Sequence, residues 1–244
     1  VTDQYTIVTI SSRRPHEWYY LLDKFYQSLN GHEVITINNS KEHYWNGLAT
    51  KPKWLYKTIK DGKIQTKYMQ FVDSWDLVYG AHPLEVMAAY EEFDAPIVIS
   101  AEKNCFPDIL KKEFDELNYP EPYKYLNSGV IIGETEAILA CLEAMDLPNV
   151  EDDHWDEEKN CNYHSNDQTM WQEIFLRQPV KIALDYNQSI SQTLHDADIN
   201  DFDFSGKRVM NKITGCHPRI WHFNGGSKDN INLREPVLQH LKLF

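Results

Sequence analysis

The chain has 244 residues, 42% of them hydrophobic and 25% charged, proportions that suit a globular protein with a sizeable core. The formal net charge is −13, and no run of Lys or Arg exceeds two residues. Affinity for nucleic acid comes largely from neutralising phosphates, so no nucleic-acid partner is expected.

Tyr5-Thr-Ile-Val-Thr-Ile10 is a β-branched run and predicts a first strand, followed by a polar turn at Ser11-Ser-Arg-Arg-Pro15. Trp18, Leu21, Leu22, Phe25 and Leu29 recur at the helical period, and Asn30-Gly31 predicts the end of that helix. Glu33-Val-Ile-Thr-Ile37 predicts a second strand, which makes the opening a βαβ unit with a parallel sheet. A helix opens at Lys51-Pro-Lys-Trp-Leu55, with proline just inside its start.

The rest of the chain is organised around the stretch Tyr68-Met-Gln-Phe-Val-Asp-Ser-Trp-Asp-Leu-Val-Tyr79. An apolar run, Met69 to Val72, ends on two carboxylates, Asp73 and Asp76. Buried parallel strands present their C-terminal ends to a crevice where ligands bind. Hard divalent cations take oxygen ligands and often sit between carboxylates and substrate phosphates. The pattern points to a metal–diphosphate site; a solvated turn would use the same residue types.

A helix follows Pro83, then a strand at Pro96-Ile-Val-Ile-Ser100. Tyr125-Leu-Asn-Ser-Gly-Val-Ile-Ile-Gly133 predicts a strand interrupted near its start by Asn-Ser-Gly, and a helix from about Glu134 to Met145 comes next. Residues 151–162 are acidic and read as a solvated loop. Asp167 to Phe175 predicts a helix capped by Ser165 or Asn166. Val180-Lys-Ile-Ala-Leu184 and Arg219-Ile-Trp-His-Phe223 predict late strands, the second leading into Asn224-Gly-Gly-Ser-Lys228. No repeat or linker is evident. The expectation is one α/β domain over residues 1–244, with a mostly parallel central sheet flanked by helices.

Cys105, Cys141, Cys161 and Cys216 form no C-x-x-C pair, so free thiols are expected rather than a structural zinc site. Asn38-Asn-Ser40 and Asn187-Gln-Ser189 match the glycosylation sequon. No apolar run approaches the ~20 residues that span a bilayer, and the first residues do not resemble a signal peptide. A soluble chain with no membrane span is expected, cytoplasmic or a domain of a larger or secretory-pathway protein.

His222 ends an apolar strand and precedes paired glycines and Lys228. Glycines let backbone approach a ligand closely, and lysine is a point-charge binder of phosphate. One imidazole and two carboxylates suit Mn²⁺, with Mg²⁺ as the alternative. No G-x-x-x-x-G-K-[ST] motif is present, which speaks against a P-loop enzyme.

Strand–Asp73-x-x-Asp76, Asn127-Ser-Gly129, Asn166-Asp-Gln168 and His222-x-x-Gly-x-x-Lys228, in that order, resemble a metal-dependent GT-A (Rossmann-like) glycosyltransferase. Phe71-Val-Asp-Ser-Trp-Asp76, Ser100-Ala-Glu-Lys-Asn-Cys-Phe-Pro107 and Leu126-Asn-Ser-Gly129 are similar to phrases of the glycosyltransferase domain of procollagen lysyl hydroxylases. The resemblance runs from Tyr5 to Lys228. It implies a retaining transfer of glucose or galactose from a UDP-sugar donor to a glycan or hydroxylated protein acceptor, such as a collagen-like hydroxylysine glycan. Asp73, Asp76 and His222 would be metal ligands. Trp75 would stack on uracil, Ile10 and Ser12 would line the nucleoside pocket, and Lys51 (with Lys53 as competitor), Gly225 and Lys228 would face the diphosphate. Asn127, Asp167 and Asn224 would surround the donor sugar, with Asp167 as the candidate for steadying the reacting centre.

The chain departs from the family in three places. Trp75 stands where the family usually has Tyr. Ser165-Asn-Asp-Gln168 replaces a run of acidic residues, and Phe106 stands where the family usually carries a gating Trp. The reduced acidic run keeps open a non-catalytic nucleotide-sugar or carbohydrate-binding module of the same fold. A nucleotidyl or phosphoryl transferase would use the same metal–diphosphate logic. A hydroxylase domain would not fit within 244 residues.

Overall fold

In the computed structural model, which describes residues 5–11, 19–38, 45–151, 156–157 and 161–243, the expected βαβ opening is present. β1 (Tyr5–Ser11), α1 (Tyr19–Ser28) and β2 (Val34–Asn38) form it, with β1 and β2 parallel. Asn30 and Gly31 follow α1 with φ of 51° and 80°, a conformation that glycine takes without steric cost and asparagine better than most. Next come α2 (Thr50–Lys60), β3 (Tyr68–Asp73), β4 (Leu77–Tyr79), α3 (Pro83–Tyr90) and β5 (Ile97–Glu102). The remainder comprises α4 (Lys111–Glu116), β6 (Tyr125–Glu134), α5 (Thr135–Ala144), α6 (Asp167–Arg177), β7 (Ile182–Asp185), β8 (Ser191–Thr193), β9 (Phe202–Asp203), β10 (Met210–Asn211), β11 (Ile220–His222) and α7 (Ile231–His240).

The main sheet has the order β2-β1-β3-β6-β5-β7. Every neighbouring pair is parallel except those made by β6, which runs against both β3 and β5. Side-chain alternation along the strands sorts residues to two faces. Val8, Phe71, Ile99 and Ile131 pack with Trp54 and Leu55 of α2, Leu142 of α5 and Ile174 of α6. Ile7, Val72, Val98 and Ile132 pack with Phe25 of α1 and Met87 of α3. Each such side chain, fully buried, contributes about 1.5–3 kcal/mol.

A second sheet, β4-β11-β8, stands beside the first. It covers a cluster in which Val78, Trp221 and Phe223 meet Leu233 and Val237 of α7. Chain passage from one sheet to the other occurs between Asp73, the last residue of β3, and Leu77, the first of β4. The Asp-x-x-Asp segment is this crossing. Its two carboxylates therefore stand at the C-terminal edge of the main sheet, where open α/β sheets bind ligands.

All four cysteines are free thiols. Ser12, Trp18, part of the Asn38-Asn-Ser40 sequon and most of the acidic 151–162 segment lie outside the described residues. No helix among the described residues is long and apolar enough to cross a membrane.

Candidate functional site

Three strands of like direction end at this edge with polar or acidic residues, Ser11 on β1, Asp73 on β3 and, beyond β6, Glu102 on β5. The antiparallel β6 begins there with Asn127 near its start. Pairing of β5 with β6 slips between Ile99 and Ser100, so that Ser100 faces Asn127 rather than Val130. The slip is a bulge, a device that re-aims side chains. Beyond it Ser128 meets Asp167 and Gly129 lies against His222, and it is the physical form of the interruption that Asn-Ser-Gly predicts.

His222 reaches the same place through the second sheet. In the antiparallel β4–β11 pair it stands opposite Leu77, one residue beyond Asp76, and Phe223 N–H donates to the Asp76 carbonyl at 2.6 Å. The imidazole Nε2 lies 3.3 Å from Asp76 Oδ1. One ligand atom from each of Asp73, Asp76 and His222 falls within 4.8 Å of the others. Two carboxylate oxygens and an imidazole nitrogen are a donor set suited to Mn²⁺, with oxygen-only preference favouring Mg²⁺ less. His222 is 2% exposed, and its Nδ1 has no hydrogen-bond partner among the described residues. The residues present thus fit a divalent cation.

Lysines bracket the cluster. Lys51 Nζ donates to Asp73 Oδ2 at 3.0 Å and lies 3.3 Å from Asp167 Oδ2. Burial acts to lower the Lys51 pKa, but Asp167 and Asp73 outweigh it and hold it above the usual lysine value. Lys228 Nζ lies 3.5 Å from Asp76 Oδ2. Burial raises the Asp73 pKa, with Asp76 adding to the effect, whereas His222 and Lys228 overcome burial at Asp76 and bring it to about 2. Lys53 bonds instead to the Val150 carbonyl, away from the acidic cluster.

These residues line one cavity of about 510 Å³. Lys51, Asp73, Asp76, Asn127, Asp167, His222, Asn224, Gly225 and Lys228 all face it, as does Phe106, which is 61% exposed. Ile10 does not line it. Alternation along β1 turns its side chain with Val8 into the core, 5% exposed, although its backbone pairs with Asp73. Trp75 is half-buried on the crossing segment and is not among the lining residues. A second cavity of about 400 Å³ lies against the other face of α6, along Thr169, Met170, Glu173 and Arg177, and gathers none of the candidate residues.

Asn166 caps α6 by accepting from Gln168 N–H at 2.9 Å, as expected. Asp167 is therefore the first residue of the helix, where a carboxylate is favoured. It also accepts from Ser128 Oγ at 2.8 Å and faces the cavity.

Sequence reasoning passes over Glu102, which proves to be the hub of one wall of the cavity. It is 3% exposed and accepts from Asn127 Nδ2 at 3.0 Å, Gln168 Nε2 at 2.9 Å and Asn224 Nδ2 at 2.9 Å. Burial raises its pKa, and the amide donors partly oppose this. A carboxylate closing an apolar strand is the signal that marks Asp73, and Ile97–Glu102 carries the same signal.

Among solved structures, the fold is that of GT-A glycosyltransferases. The chain superimposes on mouse xyloside xylosyltransferase 1 with a TM-score of 0.54 at 15% identity, covering 91% of this chain and 98% of that one. It matches the galactosyltransferase LgtC, solved with donor and acceptor sugar analogues, with a TM-score of 0.54 at 13% identity over 98% and 94% of the two chains. Residues 3–240 match the family model of the PLOD GT domain, and the chain belongs to that family. It is 26% identical over 195 residues to the rat multifunctional procollagen lysine hydroxylase and glycosyltransferase LH3, covering 76% of this chain and 24% of that protein. It is 29% identical over 172 residues to the Drosophila melanogaster procollagen-lysine,2-oxoglutarate 5-dioxygenase, covering 66% and 22%. The chain thus spans about a quarter of the length of these relatives.

Proposed function

We propose that this glycosyltransferase domain transfers a hexose, glucose or galactose, from its UDP-sugar to an acceptor hydroxyl, with retention and with Mn²⁺ or Mg²⁺ bound. The acceptor class we assign is the hydroxylysine of a collagen-like chain or a sugar already attached to it. The observation that carries this reading is the convergence of Asp73, Asp76 and His222 within 4.8 Å, between Lys51 and Lys228, in the polar cleft at the sheet edge. The acceptor class is drawn from the relatives' names and from family membership. Elements from both halves of the chain build the cleft, which supports residues 1–244 acting as one domain.

When bound, the metal would supply a Lewis acid for the diphosphate oxygens. Asp73, Asp76 and His222 would hold it. Lys51 and Lys228 carry fixed positive charge to the place where the leaving diphosphate gathers negative charge, and preorganised charge of this kind is worth more there than in bulk solvent. Asn224, whose Oδ1 holds two backbone N–H groups, gives one amide N–H to Glu102 and keeps the second for the hexose, while Asn127 is fixed beside it by Glu102 and Gln168. Asp167, at the start of α6, faces the reacting carbon, where positive charge develops as the bond to UDP breaks.

The test is UDP release from a panel of UDP-sugars with Mn²⁺, with Mg²⁺ and with EDTA. Metal-dependent release from one or two hexose donors is expected. Metal-dependent UDP binding without any release would instead describe a nucleotide-sugar-binding module, and absence of UDP binding would overturn the reading.

A further inference from the structure

His195 is the one ionisable side chain lining the cleft that, among the described residues, has neither a hydrogen bond nor an ion pair through its side chain. Every other such group there is committed. Asp73 and Asp167 hold Lys51, Asp76 holds His222 and Lys228, Glu102 takes three amide donors, and the Cys105 thiol donates to the Pro107 carbonyl.

The backbone of His195 is nevertheless fixed. β8 ends at Thr193, whose hydroxyl donates to the Ala101 carbonyl at 2.9 Å. The N–H groups of Leu194 and His195 both donate to Asn224 Oδ1 at 2.9 Å, and the amide nitrogen of Asn224 is held by Glu102. The imidazole occupies the space over Gly225, where an added Cβ would stand 2.6 Å from Nδ1 and 2.8 Å from Cγ. So the ring is seated beside the wall of which Glu102 is the hub.

The segment that follows β5 is tied to this one. Asn104 Nδ2 donates to Asp196 Oδ2 at 2.8 Å, and Lys103 Nζ donates to the Asp196 carbonyl and to Asp201 Oδ2, each at 3.2 Å. These bonds clamp the segment bearing Phe106 to the segment bearing His195. Both side chains line the cleft.

A neutral imidazole offers one donor and one acceptor nitrogen, and a sugar-like hydroxyl is both donor and acceptor. We propose that His195 is an acceptor-binding residue, whose ring hydrogen-bonds a hydroxyl of the collagen-type acceptor and so decides how often the hexose goes to acceptor rather than water. This rests on the transferase reading above.

The experiment compares wild type, His195→Ala and His195→Gln with UDP-glucose and UDP-galactose, using gelatin as the acceptor. The readout is the ratio of hexose incorporated into gelatin to UDP released. One lost hydrogen bond to an uncharged partner should lower that ratio about tenfold in His195→Ala. Gln, which keeps a donor and an acceptor, should recover part of it. UDP affinity measured by calorimetry on each variant establishes that the donor site is intact. An unchanged ratio in His195→Ala overturns the proposal, as does an equal loss of incorporation and release. Release by wild type with no incorporation into gelatin overturns the proposed acceptor role while leaving the transferase reading in place. Wild type that releases no UDP overturns both.

Discussion

A Cβ on Gly129 would stand 2.1 Å from Cε1 of His222 and 2.8 Å from its Nδ1. Glycine at that point of the β6 bulge is what lets the imidazole enter beside Asp76. Gly129→Ala must displace the ring, because the neighbouring strand cannot yield without breaking the main sheet. Overpacking of this kind costs about 1–3 kcal/mol of stability. Metal affinity should fall by about 10–100-fold, the usual cost of disturbing the shell that orients a ligand. Mn²⁺ titration followed by electron paramagnetic resonance, with Tm on the same samples, measures both. Wild-type Mn²⁺ affinity in this variant would remove His222 from the ligand set.

Glu102 is the next point of leverage. Its two oxygens hold Asn127, Gln168 and Asn224 in one arrangement. Glu102→Gln turns one acceptor into an NH₂ group facing an NH₂ donor, so that at least one of the three amides must swing away. Misplacement of substrate-positioning groups by about 1 Å costs roughly 100-fold. The expected result is a loss of that order in kcat for UDP release, with UDP affinity held. A fall in UDP affinity alone would place Glu102 on the nucleotide instead.

The two lysines should separate in steady-state kinetics. Lys51 already bridges Asp73 and Asp167 before any ligand arrives, so its charge serves binding of the donor. Hydrogen bonds to charged groups contribute about 1.5–3 kcal/mol, and Lys51→Ala should raise KM for the UDP-sugar by roughly 10–100-fold. Lys228 stands at the other end, on Asp76. Removing it should lower kcat more than it raises KM, since its charge is needed most as the diphosphate departs. Equal effects of the two substitutions on KM and kcat would contradict this division.

Stability carries a pH dependence outside the cleft. Glu85 closes the capping box of α3 with His82 and pairs with Arg208. The Arg208 guanidinium holds its carboxyl below the ordinary value of 4.5. A depressed folded-state pKa gives stability that is complete above the unfolded value and is lost as pH falls through the folded one. Glu85 is partly exposed, so solvent screening limits its contribution, and Glu85→Gln should cost roughly 0.5–1 kcal/mol at pH 7. The gap between the two melting curves should narrow as pH falls below 4.5 and close once it passes the lowered folded-state pKa, where native wild type is protonated too. A gap that persisted there would assign the effect to packing.

Much of this site is legible in the sequence for local reasons. Asp73 and Asp76 follow an apolar run, His222 precedes paired glycines, and Asn166 has the chemistry of a helix cap, so each carries its signal within a few residues. Glu102 carries the same strand-end signal as Asp73, but its three partners come from β6, α6 and the segment after β11, and only the fold brings them together. The second sheet is hidden for a related reason. β4 and β8 are three residues long, too short to express a period, and although β11 falls within the strand expected at Arg219–Phe223, its pairing joins segments far apart in the chain. Ile10 shows the opposite effect, since the alternation that predicts β1 also turns this residue into the core.

Asp167 offers the sharpest distinction between structure and chemistry. It is the first residue of α6, where a carboxylate interacts favourably with the helix dipole by about 0.3–1 kcal/mol. It also accepts from Ser128 and pairs with Lys51 at 3.3 Å. Asp167→Asn keeps the shape and much of the hydrogen bonding but removes the charge. If the carboxylate steadies the positive charge of the reacting sugar, kcat for transfer should fall by about 100-fold or more while UDP affinity stays within a few-fold. If it serves only the helix, Tm should fall by a few degrees, as expected for about 1 kcal/mol in a chain of this size, and kcat should stay near wild type. Measuring kcat, UDP affinity and Tm on the one variant separates these outcomes, and near-normal transfer would remove Asp167 from the chemistry.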